Sequence, residues 1–303
     1  MLPRVSVIIR ARNASADLRE CLPAIRAQRY DGEIEIIVVD NESTDDTVAV
    51  ATASGAKVSS ISAREFSWGR AINRGLAAST GDYAIVLSAD ATPANDMWLM
   101  EMVRPLQEPA VVAAYGRQMP RRNAPIGEIV RLNRAFDGSP RELTAERIES
   151  DLRQGKWVCS NACASLRRTA WESLPFDETV HAAEEVLWVR QAVSKGLRVV
   201  YTPAAQVYHS HYDTVLRFAV RAWEFHRSRA DVASLGLRGS VAWLIGSIIK
   251  GRLHACILGA RHVRSAFIGL VRLPAECAVL LFVAIFLRDE RRYAKLKNRA
   301  WAR

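Results

Sequence analysis

The stretch Ile85–Pro93, IVLSADATP, runs from apolar residues into a short polar loop that carries one carboxylate, Asp90, and closes on a proline. A buried strand that delivers an acid at its C-terminal end is the arrangement by which open α/β sheets bind ligands. Asp40 stands in the same place after the apolar run Ile34–Val39. The pair Glu184-Glu185 opens a helical pattern, and His209 and His211 flank Ser210 beyond a later strand-like run. One such residue is often just a cap. Several of them at the strand ends of one parallel sheet point to a crevice that can move a proton or hold a divalent cation such as Mg²⁺ or Mn²⁺. No G-x-G-x-x-G follows the first strand and there is no Walker loop, so a bound diphosphate would need a cation rather than a cradle of glycines alone.

These residues need a scaffold, and the first half of the chain supplies its pattern. Val5–Ile9, Ile34–Val39 and Tyr83–Leu87 read as buried strands, with Lys57–Ser60 as a weaker one. Asp17–Gln28 has apolar residues at helical spacing, Thr47–Ser54 is a short helix stopped by Gly55, and Gly69–Ala78 is a third helix. Ser43 or Thr44 is the expected N-cap of the second helix. This alternation predicts an α/β fold with a mostly parallel, doubly wound sheet. Beyond it, Pro93–Leu106 reads as a helix and Val111–Tyr115 as a strand. The pattern then weakens from Gly116 to about Gly155, apart from a polar helical piece over Arg141–Gln154, which suits a substrate-covering loop or a plain surface excursion. Lys156–Leu166, Thr169–Ser173, Ala182–Lys195 and Leu197–Tyr201 read as strand, helix, helix and strand.

The 303 residues suffice for one large α/β domain with an appendage. The net charge of +10 is unevenly placed: Arg217–Arg303 holds 17 Lys/Arg against 5 Asp/Glu, and what precedes it is slightly acidic. That argues against a nucleic-acid face on the main domain and for an anionic partner of the tail. Thr214–Arg229 is an amphipathic helical pattern. The apolar runs Val241–Ile249 and Cys277–Leu287 fall short of the roughly 20 residues that span a bilayer. Basic helices with aromatic residues beside apolar runs fit a membrane interface; a soluble helical cap or a contact between two copies of the chain is the alternative. Cys21, Cys159, Cys163, Cys256 and Cys277 form no zinc pattern or disulfide framework and read as reduced thiols. Met1–Arg4 leads directly into a strand, so no signal peptide is expected, and the expected location is cytoplasmic or the cytoplasmic face of a membrane.

The segments VSVIIRARN, IIVVDNESTDDT, GRAINRGLAASTGDYAIVLSADATP, FDET…AEEVLW and VYHSHY, in this order, resemble the inverting family-2 glycosyltransferases of GT-A fold over roughly Val5–Tyr212. LSADATP with VYHSHY looks most like the rhamnosyltransferase branch. The resemblance implies a GT-A domain over residues 1–212, with a nucleotide half at 1–115 and an acceptor half at 116–212, followed by the tail at 213–303. It implies a sugar, rhamnose for example, moved from a UDP- or dTDP-linked donor to a glycan or lipid-linked acceptor during polysaccharide synthesis at the cell envelope.

By the same resemblance, Arg10, Ala11 and Asn13 would line the nucleobase pocket and Asp40 would hydrogen-bond the pyrimidine. Asp45 ranks lower, as a first-turn acid. Arg70 would reach the nucleotide or form a surface ion pair, and Asn73 would serve the nucleotide or pack its helix. Asp90 would bind the metal beside the diphosphate. Ser88-Ala89-Asp90 replaces the family's Asp-x-Asp, so one carboxylate remains and His209, or His211, becomes a further ligand. Glu184-Glu185 replaces the family's Glu-Asp; Glu185 takes the aspartate position as general base, one methylene longer. Trp188 would stack on a sugar or pack in the core. Two rival readings are a non-catalytic module that binds a nucleotide-sugar and a nucleotidyltransferase on a similar sheet; the second would want a glycine- and lysine-rich phosphate loop that RARNAS does not supply.

Overall fold

The computed structural model describes residues 2–154, 157–180 and 182–211, with Arg217 and Val220. Apart from those two positions, the amphipathic pattern over Thr214–Arg229, the two later apolar runs, Cys256, Cys277 and the basic end lie outside the described residues. Among the described residues no helix is long and apolar enough to cross a membrane.

Two compact units divide the chain, residues 1–121 with 135–210 and residues 122–134 with 211–303. The first is built on a mixed sheet. Its opening strands β1 (Val5–Ala11), β2 (Ile34–Asp40), β3 (Lys57–Ser60) and β4 (Tyr83–Ser88) are separated by helices α1 (Ser15–Arg26), α2 (Thr47–Ala53) and α3 (Trp68–Ala77). The strands run parallel in the order β3-β2-β1-β4. Helices cover both faces, which is why these strands are near-continuous apolar runs rather than alternating ones. Val5, Val7 and Ile9 join Leu18, Cys21, Leu22 and Ile25 of α1 in one buried core. On the other face Ile8 meets α3 at Gly75, where a Cβ would collide with its side chain.

The rest of the sheet is mixed. A two-residue strand β5 (Thr92–Pro93) precedes α4 (Trp98–Val103), which tightens into a 3₁₀ turn at Arg104–Gln107. Next come β6 (Val111–Met119), α5 (Ile126–Ala135), β7 (Arg141–Glu142) and α6 (Ala145–Gln154). After them follow β8 (Cys163–Arg167), α7 (Arg168–Ser173), α8 (Glu184–Ser194) and β9 (Arg198–Tyr208). β8 lies antiparallel between β4 and β6, β6 pairs parallel with β9, and β5 pairs antiparallel with the end of β9. The sheet order is β3-β2-β1-β4-β8-β6-β9-β5.

Five local expectations are corrected. The helix expected from Pro93 starts at Trp98, because Thr92 and Pro93 are held as a strand by Tyr208 and Val207. The weak-pattern stretch after Gly116 is ordered: β6 runs on to Met119 because β9 pairs with it past an irregularity at Gly116/Arg117, and α5, β7 and α6 follow. Within that stretch the helix expected over Arg141–Gln154 begins only at Ala145, since Arg141 and Glu142 are paired to β9. The strand expected over Lys156–Leu166 is shorter, Cys163–Arg167. The N-cap of α2 is Asp46 rather than Ser43 or Thr44, which join instead to Asn13: Ser43 Oγ accepts from the Asn13 amide at 2.9 Å and the Thr44 amide donates to Asn13 Oδ1 at 2.8 Å.

In the second unit the described residues hold most of α5. Glu128 and Arg131 of that helix pair at 2.7 Å, and Glu128 Oε1 accepts from the His211 amide at 3.3 Å.

Candidate active site

The topology brings one edge of the sheet together. β1, β2 and β4 end there in Arg10, Asp40 and the Ser88–Asp90 loop. β8 runs the opposite way, so its start, just after Asn161, lies at the same edge. β6 and β9 again run with β4 and deliver Gln118 and His209. Chemistry-bearing residues from position 10 to position 209 therefore converge on the C-terminal ends of the parallel strands, where such sheets bind ligands.

At the centre, His209 Nε2 lies 3.4 Å from Asp90 Oδ1. The other imidazole nitrogen, Nδ1, is 2.7 Å from the Gln118 amide oxygen. Both His209 and Gln118 are buried. Asp90 and His209 thus turn a carboxylate oxygen and an imidazole nitrogen toward one another at this edge. A carboxylate with an imidazole suits Mn²⁺ and neighbouring divalent ions better than an all-oxygen calcium cage does. Acid density here is high: burial first, then Asp90, pushes the Asp17 carboxyl above its ordinary range.

Arg121 fastens this corner. Its guanidinium donates to the Asp90 carbonyl at 3.2 Å, to Thr92 Oγ1 at 3.0 Å and to Glu20 at 2.6 and 2.8 Å, while its amide donates to Ser210 Oγ at 2.9 Å. The Asp90 loop and the segment after β9 are thus tied to one residue.

The second cluster centres on Arg10. Its buried guanidinium donates to the Asn161 carbonyl at 2.8 Å, stands 3.7 Å from Glu184 Oε1, and lies over the half-exposed Trp68 ring at 5.0 Å. Asn161 Nδ2 donates to the same Glu184 oxygen at 3.2 Å. Burial pulls the Arg10 pKa down, opposed by Glu184, Glu185 and Asp90, and a guanidinium so placed stays charged. Glu185 differs: burial, then the neighbouring Glu184, pushes its carboxyl well above the usual range. The two acids are thus set apart, one held by a cation and an amide, the other kept proton-hungry, a pattern typical of acid–base sites.

α8 is aimed by its entry. Ala183, the residue before it, sits at φ 65°, a left-handed conformation costly for a residue with a Cβ. Upstream, the 176–178 segment is locked to α3. Asn73 Nδ2 donates to the Phe176 carbonyl at 2.8 Å and to Glu178 at 3.0 Å, and Asn73 Oδ1 accepts from Trp171 Nε1 and the Phe176 amide. Arg70 pairs with Glu178 at 2.8 Å. Gly69 is required at this junction, since a Cβ would run into the Asp177 carbonyl oxygen. The polar atoms of Asn73 and much of the Arg70 guanidinium are engaged here, so both position the approach to Glu184-Glu185.

At the end of β2, Asp40 is buried; Oδ2 accepts from the Ser43 amide at 3.2 Å, and Oδ1 has no hydrogen-bond partner among the described residues. The neighbouring Asn41 Oδ1 is in the same condition. Two orphaned buried oxygens at a strand end mark a place for a donor from outside the chain. Ala11 is buried beneath, Ala89 backs the Asp90 loop, and the Ser88 amide donates to the Ala162 carbonyl at 3.2 Å. Asn13, at φ 49°, ties the β1 and β2 loops together. Asp45 is a structural cap: hydrogen bonds from Thr47 and Ser15 outweigh burial and hold its carboxyl at about 2. Trp188 is core, buried, stacked on Phe176 at 5.6 Å, with Nε1 donating to the Leu174 carbonyl.

Sequence reasoning missed Gln118, Arg121 and Asn161. Gln118 was a polar residue beyond the recognised strand, Arg121 one arginine in a basic run, and Asn161 one polar residue inside the strand expected over Lys156–Leu166. No local spacing betrays partners on distant strands. The cysteines Cys21, Cys159 and Cys163 are buried free thiols, and burial raises all three, Cys21 and Cys163 to about 12.

A nucleotide-sugar-type α/β sheet with an acid loop after β4 and acids at the start of α8 defines the GT-A class of glycosyltransferases. Residues 6–174 match the family Glycosyl transferase family 2, to which the chain belongs. It is 29% identical over 213 residues to the O-antigen chain rhamnosyltransferase WbaN of Salmonella anatum, covering 69% of this chain and 67% of that protein. It is 27% identical over 269 residues to the pre-mycofactocin glycosyltransferase of Mycobacterium tuberculosis H37Rv, covering 82% of this chain and 53% of that one. In fold it is similar to a mannosyltransferase of Pyrobaculum calidifontis solved with GDP-Man and Mn²⁺ (TM-score 0.61, 18% identity, 94% of this chain and 88% of that chain). It is similar also to the glucosyl-3-phosphoglycerate synthase of M. tuberculosis solved with Mn²⁺, UDP and glucosyl-3-phosphoglycerate (TM-score 0.54, 22% identity, 74% and 77% covered). The chain is a family-2 glycosyltransferase.

Proposed function

We propose that the enzyme is a metal-dependent inverting glycosyltransferase that moves a hexosyl unit, rhamnose foremost, from a pyrimidine nucleotide-sugar to a growing polysaccharide or lipid-linked glycan. The observation that carries it is the Asp90–His209 pair facing one another at 3.4 Å at the sheet edge that also holds Arg10 and Asp40. Similarity to O-antigen chain rhamnosyltransferases favours rhamnose and an envelope polysaccharide.

In this reading Asp40 and the Arg10–Asn13 loop receive the nucleobase. Asp90 and His209 would hold Mn²⁺ or Mg²⁺, and their mixed oxygen and imidazole donors favour Mn²⁺. The bound ion supplies charge neutralisation for the departing diphosphate. Glu185 takes the proton from an acceptor hydroxyl, whose oxygen forms the new bond to the anomeric carbon. The old bond to the diphosphate breaks and its electron pair leaves with the nucleoside diphosphate. One displacement inverts the anomeric centre and needs no enzyme nucleophile. Glu184, held by Arg10 and Asn161, keeps Glu185 in place and sustains its basicity.

The basic residues after position 212 would hold the enzyme at the anionic cytoplasmic leaflet, where a lipid-linked acceptor is found, or join two copies of the chain; the basis is composition alone. The test is a thermal-shift screen of nucleoside diphosphates and nucleotide-sugars with and without Mn²⁺. A shift with UDP or dTDP compounds that depends on Mn²⁺ is expected; a metal-independent profile sinks the reading. Continued turnover by Glu185→Gln with purified components would leave a nucleotide-sugar-binding module or another base as the alternative.

A further inference from the structure

Gln118 is a buried amide at the C-terminal end of β6, a strand to which the metal reading gave no role. Its side-chain oxygen lies 2.7 Å from His209 Nδ1. A carbonyl oxygen can only accept, so the proton of the neutral imidazole sits on Nδ1. The lone pair is then on Nε2, the atom 3.4 Å from Asp90 Oδ1. Two acceptors facing each other at that distance repel unless a positive charge is shared between them.

We propose that Gln118 is the positioning residue of the metal site: it fixes His209 in the Nδ1-protonated tautomer and orients Nε2 toward a divalent cation shared with Asp90. The proposal rests on the metal reading of Asp90 and His209 and adds the group that makes His209 competent for it. The backbone supports the role. Gln118 pairs with Val207 and Met119 with Tyr208 in the β6–β9 register, and the Met119 carbonyl accepts from the His209 amide at 3.0 Å. The imidazole and the amide that orients it are thus carried on two hydrogen-bonded strands, so the pair cannot drift apart without breaking the sheet. A hydrogen bond from a ligating imidazole to such a partner typically changes metal affinity by about 10- to 100-fold.

Two measurements test it. Long-range ¹H–¹⁵N correlation on metal-free protein with ¹⁵N-labelled histidine reads the His209 tautomer with no substitution in the amide. A proton on Nδ1 is expected; an imidazole protonated on Nε2 alone overturns the proposal. Titration with Mn²⁺, alone and with UDP, by electron paramagnetic resonance then compares wild type, Gln118→Leu and Gln118→Glu. Gln118→Leu is expected to bind Mn²⁺ about 10- to 100-fold more weakly, and Gln118→Glu, which can still accept from Nδ1, to recover most of the loss. Equal affinity in wild type and Gln118→Leu overturns the role of Gln118 while leaving the metal site standing. Failure of wild type to bind Mn²⁺ in either condition overturns the metal reading itself, and this proposal with it.

Discussion

Arg10 and Glu184 meet inside the protein, Nη1 3.7 Å from Oε1, with side chains 7% and 4% exposed. One comes from the end of β1 and the other from the start of α8. Removing one partner of a buried pair leaves the other uncompensated, at a cost of about 3–5 kcal/mol. Arg10→Ala should lose that much stability in urea denaturation, and Arg10→Met combined with Glu184→Gln should restore a large part of it. Equal stability of Arg10→Ala and wild type would show that the pair is not formed.

Glu185 gives a prediction in both rate and stability. As the proposed base it must be ionised, so turnover should rise with pH through its elevated pKa. Glu185→Gln should lower kcat about 10²- to 10⁴-fold with the donor KM nearly unchanged, and Glu184→Gln should cost less. For stability, the folded protein holds the Glu185 proton more tightly than the unfolded chain. The wild type is therefore favoured at low pH and loses that contribution as pH climbs from the ordinary carboxylate range through the raised value. Melting curves of Glu185→Gln should lack this decline.

Glu35 behaves in the opposite sense. It is buried at the far edge of the sheet, which opposes ionisation. Hydrogen bonds from Ser6, the Thr80 amide, Lys57 and the Thr80 hydroxyl outweigh that and bring it to about 2. Its contribution is present above the ordinary glutamate pKa and fades as pH falls toward 2. Glu35→Gln should reduce stability at neutral pH by roughly 2–3 kcal/mol and flatten acid unfolding between about pH 4.5 and pH 2. Chemical denaturation at several pH values measures this directly.

A ligand that binds only the folded state raises the melting temperature by mass action. Mn²⁺ with UDP should therefore stabilise the wild type, and Asp90→Asn and His209→Ala should lose most of that gain while melting normally without ligand. Stabilisation retained in both variants would place the cation elsewhere.

The first half of the fold was legible because its strands are apolar runs covered on both faces, and each is followed at once by its helix. Val5–Ile9, Ile34–Val39 and Tyr83–Leu87 needed no distant partner to be recognised. The second half was not legible in this way. Thr92 and Pro93 become a strand only because Tyr208 and Val207 reach them, and β6 extends to Met119 only because β9 continues beside it. Asp90, His209 and the Glu184-Glu185 pair could be named from residue type and placement, aided by the resemblance to a family. The amide of Gln118 and the guanidinium of Arg121 could not, since their meaning lies in partners 91 and 31 residues away.

The rung between β5 and β9 also sets an order of events. Pairing Thr92 with Tyr208 closes a loop that encloses β6, β7, β8 and the five helices α4 to α8, whereas the four parallel strands join through much shorter connections. Loop closure costs chain entropy before any contact rewards it. During synthesis, Asp90 must wait until His209 has left the ribosome, so the nascent chain acquires its four parallel strands well before it acquires the Asp90–His209 pair.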